Sequence, residues 1–122
     1  MSLSDPDARP TPGEVLCRLD EIPNGGALGL SYGSGVKRFK IVLFRRADTL
    51  YAYVNECSHL TSPLELRPGQ FLISEDGEVY CAAHGAGFRI TDGACINEVC
   101  AGKPLVKVAV EVVDGAIVMA AG

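Results

Sequence analysis

The sequence predicts an all-β protein with an antiparallel sandwich or barrel-like architecture. Three observations support this prediction: helical periodicity is weak throughout, short apolar runs are frequent, and Asp-Gly pairs recur between those runs. Asp-Gly tolerates the positive φ angles that a tight hairpin turn needs, so each pair marks a turn between two strands. We therefore expect about eight to ten short strands in one fold.

Each predicted strand is a short run of β-branched, aromatic or aliphatic residues. In chain order the expected strands lie at residues 15–17, 28–30, 41–44, 50–54, 71–73, 79–81, 106–112 and 116–119. The clearest is the run in which Val106, Val108, Val110 and Val112 alternate with other residues, which is the period of a half-buried strand. Hairpin turns are expected at Asp76-Gly77 and at Asp114-Gly115, because each pair joins two of these runs.

Length and composition predict one globular domain. The chain has 122 residues, of which 48% are hydrophobic and 21% charged, and it contains no run of 18 apolar residues that could span a bilayer. Residues 1–13 carry three prolines and no apolar segment, so we expect a flexible tail before a single domain at 14–122, and no signal peptide. A cytoplasmic location follows as an expectation. The net charge of −4 predicts neither nucleic-acid nor membrane partners.

Two cysteine–histidine pairs are the strongest functional signal. Cys57 and His59 form a C-x-H motif, Cys81 and His84 form a C-x-x-H motif, and 21 residues separate His59 from Cys81. His59 and His84 are the only histidines of the chain. Both motifs follow predicted strands directly, in loops of the kind that carry binding residues. A chain that places both of its histidines beside cysteines in this way is expected to bind a metal centre.

Zinc is the main alternative, since two cysteines and two histidines make a tetrahedral zinc site. Structural zinc sites usually take two cysteines from one loop and two histidines from another, whereas each loop here offers one of each. A dinuclear iron–sulfur cluster explains the mixed loops, because each loop can then reach both metal ions. The spacing therefore favours the cluster over zinc.

The pattern C-x-H followed by C-x-x-H resembles the signature of Rieske [2Fe–2S] proteins, in which two cysteines bind one iron and two histidines the other. The resemblance implies that Cys57, His59, Cys81 and His84 hold a [2Fe–2S] cluster. It also implies a Rieske-like fold, with a small cluster-binding subdomain at about residues 55–96 on a basal β-sandwich or barrel.

The residues around the motifs resemble soluble bacterial Rieske ferredoxins more than respiratory Rieske proteins. Respiratory members carry one further cysteine in each loop, joined as a disulfide, where this chain has Ser62 and Ala83. They also carry a serine and a tyrosine that hydrogen-bond cluster and ligand sulfur, where this chain has Ala86 and Phe88. Losing those hydrogen bonds lowers the reduction potential, so we expect a value toward the lower end of the ~−150 to +300 mV Rieske range.

The residue inventory argues against catalysis within the chain. With both histidines assigned to the cluster, none is left for a mononuclear iron site of two histidines and a carboxylate, or to activate a nucleophile. The resemblance therefore implies a soluble one-electron carrier between a flavin reductase and a terminal oxygenase. The alternative is a non-catalytic accessory subunit similar to the small subunit of nitrite reductase.

Three cysteines, Cys17, Cys95 and Cys100, are not assigned to the cluster. The sequence leaves a Cys95–Cys100 disulfide open, but the expected cytoplasmic location argues for free thiols.

Overall fold

A computed structural model describes residues 8–34, 37–56, 64, 70–81, 85–100 and 102–121, and these residues form nine strands and two short 3₁₀ helices. The strands are β1 (Val15–Arg18), β2 (Ala27–Ser34), β3 (Lys37–Arg46), β4 (Thr49–Val54), β5 (Leu72–Ile73), β6 (Glu78–Tyr80), β7 (Gly87–Arg89), β8 (Val110–Val113) and β9 (Ala116–Met119). The 3₁₀ helices span Leu19–Glu21 and Glu98–Cys100.

The strands form three antiparallel sheets of three strands each, with the orders β1-β9-β8, β2-β3-β4 and β5-β6-β7. Most neighbours in a sheet are joined by short turns. The β8–β9 turn is Asp114-Gly115, where both residues have positive φ, and Gly77 has a φ of +84° in the turn between β5 and β6. Both turns were predicted from the Asp-Gly pairs, and the all-β antiparallel prediction is confirmed.

Strands β2 and β3 are longer than predicted, and three further differences lie near the ligand motifs or the last strands. Strand β7 was not predicted, because Gly87–Arg89 is only three residues long and contains a glycine. The predicted strand at 106–112 begins later, at Val110, and Lys107 makes only an isolated bridge to Tyr53. Strand β6 ends at Tyr80, one residue before Cys81, which therefore starts the loop rather than ending the strand.

Strand β3 separates two hydrophobic cores, because its successive side chains point to opposite faces of the sheet. Ile41 and Leu43 belong to a core beside β9, whereas Val42 and Phe44 belong to a core beside β6 and β7. We call the first the basal core, formed by Ile22, Phe39, Ile41, Leu43, Ala52, Val108, Ile117 and Met119. The second is the loop-side core, formed by Val42, Phe44, Tyr53, Leu64, Val79, Cys81, Ala86, Phe88, Ile90, Cys100 and Leu105.

The described end of the N-terminal segment contacts the domain. Pro10 is buried, the Arg9 guanidinium lies 5.8 Å from the ring centre of Phe39, and the Gly13 amide donates to the Met119 carbonyl at 2.8 Å. Residues 1–7 lie outside the described residues, and the domain boundary at residue 14 stays a prediction. Within the described part of the chain, no helix has the length and apolarity needed to cross a bilayer.

Candidate metal centre

The first predicted ligand loop begins and ends at residues that are fixed to each other. Cys57 and His59 lie outside the described residues, but Asn55 and Leu64 on either side of them are described. The Asn55 side chain is 1% exposed, and its Oδ1 accepts a hydrogen bond from the Leu64 amide at 3.0 Å. The Asn55 amide donates to the Lys40 carbonyl at 2.8 Å. The buried side chain of Asn55 thus joins the two ends of the loop, and its backbone amide ties them to strand β3.

The second predicted ligand loop connects β6 and β7. Cys81 follows β6 directly, is 1% exposed and is not paired with another cysteine. Its amide donates to the Ala86 carbonyl, and its carbonyl accepts from the Gly85 amide, both at 2.8 Å. These two bonds extend the β6–β7 pairing and close the loop around residues 82–84. His84, with the rest of that segment, lies outside the described residues.

Both loops are anchored in the loop-side core. Leu64 closes the first loop, Cys81 and Ala86 close the second, and all three are at most 1% exposed in the same cluster of buried side chains. The core brings together the anchors of two segments that are far apart in sequence. The structure thereby places Cys81 and the bases of both ligand loops on one side of strand β3.

A third segment, residues 95–100, contacts the second ligand loop. Asn97 Nδ2 donates to the Gly85 carbonyl at 2.9 Å, and the Ile96 amide donates to the Gly87 carbonyl at 2.9 Å. Gly87 is closely enclosed, since a Cβ atom there would lie 2.8 Å from the Tyr80 ring and 3.0 Å from Ile96 Cγ1. Glycine at residue 87 thus permits the close approach of this segment to β7.

Cys95 and Cys100 form a disulfide, with their Cα atoms 6.0 Å apart. The expectation of free thiols is therefore wrong at these two positions. The 3₁₀ helix Glu98–Cys100 turns the chain back toward Cys95, which brings the two Cα atoms within the range that a disulfide can bridge. Cys17, in β1, is a free thiol, and burial raises its pKa to about 11 with a further contribution from the charge of Glu21.

The turn that follows β7 is held by a buried tyrosine and an ion pair. The Tyr53 hydroxyl donates to the Ile90 carbonyl at 2.5 Å, and burial is the main cause that raises its pKa to about 12. Asp92 accepts two hydrogen bonds from the Arg89 guanidinium, at 2.9 and 2.7 Å, and one from the Ala94 amide at 3.0 Å. The Arg89 hydrogen bonds are the main cause that lowers the pKa of Asp92 to about 2. Strand β4 is thus linked directly to the sheet that carries the second loop.

The residues fit a [2Fe–2S] cluster of the Rieske type. A Rieske cluster needs two thiolates and two neutral imidazoles, which is the set of donors that the two motifs offer. The described donor, Cys81, is a buried thiol outside any disulfide, on a loop closed by its own backbone. Its surroundings are apolar side chains of the loop-side core, which limit the access of water to a bound cluster.

Comparison with known proteins identifies the family. Residues 14–113 match the Rieske [2Fe-2S] domain, and the chain therefore belongs to that family, whose cofactor is a Rieske [2Fe–2S] cluster. The match covers most of the chain, from before β1 to the end of β8. No curated protein matches the sequence.

Solved structures share the fold at low sequence identity. The ferredoxin of carbazole 1,9a-dioxygenase from Nocardioides aromaticivorans IC177 superposes with a TM-score of 0.73 and 22% identity over 92% of this chain and 100% of that one. A complex of reduced oxygenase and oxidized ferredoxin in carbazole 1,9a-dioxygenase contains a chain that superposes with a TM-score of 0.70 and 22% identity, over 88% of this chain and 91% of that one. A protein described as the small subunit of an NADPH nitrite reductase superposes with a TM-score of 0.62 and 18% identity, over 91% of this chain and 100% of that one. At these identities the likeness establishes the fold alone.

Three residues that shape the site were not predicted from the sequence. Asn55 precedes the first motif by two residues, and an asparagine beside a loop is a signal for a side chain that bonds to backbone. Asn97 stands just before a 3₁₀ helix, where Asn is also favoured for the same reason. Tyr53 gave no signal beyond its strand, because its bond to Ile90 joins residues 37 positions apart.

Proposed function

We propose that this protein is a one-electron carrier whose Rieske cluster is held by Cys57, His59, Cys81 and His84. The observation that carries the proposal is the common anchoring of both ligand loops in the loop-side core, with the buried Cys81 thiol among the anchors. When bound, the cluster accepts and releases one electron. The chain's own contribution is to hold the ligand loops and to exclude water from the Cys81 side.

The proposed partners are a flavin reductase as electron donor and a terminal oxygenase as electron acceptor. The oxygenase is supported by the fold shared with a ferredoxin that forms a complex with the oxygenase of carbazole 1,9a-dioxygenase. The proposal assigns no catalytic residue to this chain, because both histidines are used as ligands and the substrate chemistry belongs to the partner. A cytoplasmic location is part of the proposal.

A second candidate is a non-catalytic accessory subunit. The fold shared with the small subunit of an NADPH nitrite reductase favours it. The four ligand residues favour the carrier instead, because an accessory role does not require a complete set of two thiols and two imidazoles. The presence of a reducible cluster therefore separates the two functions.

The ligand assignment is tested by spectroscopy and metal analysis of the purified protein. We expect two irons per chain, a visible absorption spectrum that bleaches on reduction, and a Rieske EPR signal in the reduced state. Replacing Cys57, His59, Cys81 or His84 with alanine should abolish the signal. Cys17→Ser changes a cysteine beside the basal core and should leave the signal unchanged. A colourless wild-type protein, with or without zinc, would refute the cluster ligation.

The carrier role is tested by electron transfer with defined partners. A flavin-dependent ferredoxin reductase and NADH should reduce the cluster, and a Rieske oxygenase should reoxidise it, both followed by stopped-flow absorption. A redox-active cluster that is neither reduced nor reoxidised with any reductase or oxygenase of this class would contradict the carrier role and favour an accessory subunit. We expect a potential in the lower part of the ~−150 to +300 mV range, as the alanine and phenylalanine at 86 and 88 indicate.

A further inference from the structure

The segment 95–100 is built as a small closed unit against the second ligand loop. Asn97 uses both ends of its side-chain amide: Oδ1 accepts from the Val99 amide at 3.2 Å, and Nδ2 donates to the Gly85 carbonyl at 2.9 Å. The first bond stays within the segment, and the second reaches the ligand loop. Asn97 therefore joins the turn of residues 97–100 to the residue that directly follows His84.

The disulfide keeps this turn closed. Cys95 Sγ lies 3.0 Å from the Asn97 carbonyl oxygen, and Cys100 Sγ lies 3.5 Å from the Gly87 carbonyl oxygen. Because a disulfide sulfur carries no proton, these are packing contacts and not hydrogen bonds. Cys100 is fully buried and belongs to the same loop-side core as Cys81. The disulfide thus holds the two ends of the turn together and, through Cys100, fixes the turn to the core that anchors the ligand loop.

The chemical setting also distinguishes this disulfide from an ordinary structural one. It closes a short loop, since the two cysteines are five positions apart, so its contribution is local. In the cytoplasmic location proposed above, a disulfide is usually transient, catalytic or redox-sensing. Cys95 is partly exposed, whereas Cys100 is buried, so the sulfur of Cys95 is the one that an external thiol can attack.

We propose that the Cys95–Cys100 disulfide and Asn97 form a redox-sensitive brace that positions the second ligand loop, and that reduction of this disulfide by a dithiol loosens the hold on the cluster. The inference rests on the ligand set proposed above. Asn97 and the two cysteines are positioning residues, because they act on the cluster only through Gly85, Gly87 and the loop between Cys81 and Gly85.

The reduction step is an ordinary thiol–disulfide exchange. One thiolate of the dithiol attacks Cys95 Sγ, forms a mixed disulfide and displaces the Cys100 thiolate, which takes up a proton. The second thiol of the reductant then attacks the mixed disulfide and releases Cys95 as a thiol. Two electrons and two protons pass to the protein, and the reductant becomes a cyclic disulfide.

The test compares cluster retention with the disulfide intact and reduced. Wild-type protein is treated with dithiothreitol or buffer, and the decay of the visible absorption is followed in the presence of an iron chelator. We expect roughly tenfold faster cluster loss after reduction, since a loop closed by a disulfide is destabilised when the bond opens. The visible circular dichroism of the oxidised cluster should change before the iron is lost, because the ligand geometry changes.

Variants separate the brace from a general effect of the reductant. Cys95→Ala/Cys100→Ala should lose its cluster as quickly as reduced wild type and should not respond further to dithiothreitol. Asn97→Ser keeps an oxygen that can accept from the Val99 amide but cannot reach Gly85, so it should also speed cluster loss. Cys17→Ser is the matched control, and it should behave like wild type with and without the reductant.

Amide hydrogen exchange gives a readout that does not depend on the cluster. Reduction should speed exchange at Gly85 and Ile96, whose amides donate within and onto the ligand loop, and leave Val54 in β4 unchanged. If the protein proves colourless, the ligand assignment fails, and the exchange rates alone decide whether the brace holds the loop.

Three results would overturn the brace. The first is the absence of a Cys95–Cys100 bond from the untreated protein in every preparation, as judged by alkylation and mass spectrometry. Complete reduction, verified in the same way, could leave the cluster lifetime, the circular dichroism and the exchange at Gly85 as they were. Dithiothreitol could act equally on the double alanine variant. If that variant does not fold, the comparison of oxidised and reduced wild type decides the question, because it keeps both side chains in place.

Discussion

Gly93→Ala is a sharp test of how the sheet of the second ligand loop is fixed to the rest of the protein. Gly93 has a φ of +75°, and a Cβ atom there would lie 2.8 Å from Cε1 of Tyr53 and 3.4 Å from Leu105 Cβ. The Tyr53 ring cannot move away easily, because its hydroxyl is bonded to the Ile90 carbonyl and it is 2% exposed. The Gly93 amide and carbonyl are also bonded, to Arg89 and Leu105.

The cost has two parts that a second glycine can separate. The left-handed backbone conformation costs an alanine about 1–2 kcal/mol. The contact with Tyr53 adds about 1–3 kcal/mol of overpacking, because a ring fixed at both ends must shift. Gly102 has nearly the same φ, +77°, but among the described residues no atom beyond its chain neighbours lies within 4 Å of the position of its Cβ. Gly102→Ala therefore pays the backbone cost alone.

The assay is urea unfolding of the two variants and wild type under identical conditions, followed by far-UV circular dichroism and tyrosine fluorescence. We expect Gly93→Ala to lose about 2–5 kcal/mol and Gly102→Ala about 1–2 kcal/mol, with unchanged slopes in urea. The difference of about 1–3 kcal/mol isolates the contact with Tyr53. Equal losses in the two variants would refute the argument that the Tyr53 ring is held against Gly93.

Three further variants test the same region. Tyr53→Phe leaves the Ile90 carbonyl without its buried donor and should cost about 1–2 kcal/mol at neutral pH, with Tyr51→Phe on the same strand as control. The folded state raises the Tyr53 pKa from 10.0 to about 12, so the protonated Tyr53 hydroxyl stabilises the fold fully below pH 10, and this stabilisation is lost as the pH rises through 12. In urea titrations, Tyr53→Phe should lack that loss of stability at alkaline pH. Asp92→Asn should be less stable than wild type above pH 4, and the difference should vanish as the pH falls through about 2, because the folded state lowers the Asp92 pKa from 3.8. Ala86→Ser should raise the potential in a redox titration, since residue 86 is paired with Cys81 in the loop-side core and a serine there adds a hydroxyl donor beside the proposed cluster site. An unchanged potential would contradict that placement.

Local pattern was enough to predict the strands and turns that depend on nearby residues. Strand β3 is the clearest case: its apolar run at 41–44 predicts a strand, and the structure shows why every residue is apolar, since alternate side chains fill two different cores. Asp114-Gly115 likewise predicts a hairpin from two residues alone. The same local reading failed for β7, whose three residues owe their pairing to β6 and to the segment around Cys95.

The candidate site also has a part that short motifs predict and a part that they do not. The ligand types and their spacing are properties of short motifs, so the family follows from the sequence, and the match over residues 14–113 confirms it. The supports of the site are long-range contacts: Asn55 to Leu64, Tyr53 to Ile90 and Asn97 to Gly85. No pattern of period two or of motif spacing encodes them, because each depends on how separate strands meet in the loop-side core.

The disulfide shows how much one such contact changes the interpretation of the site. The expected compartment predicts that Cys95 and Cys100 are free thiols. In the structure they form a disulfide that closes a turn, and this turn contacts the second loop at Gly85 and Gly87. The geometry of a ligand loop depends on the elements that support it, and the least stable of those elements opens first. Around the second loop, the β6–β7 pairing and the loop-side core are permanent supports, whereas the segment 95–100 depends on a bond that a dithiol can open. Control of cluster binding is therefore expected at that segment, and under the proposed brace its two cysteines would give the chain a response to thiols that the four proposed ligands do not provide.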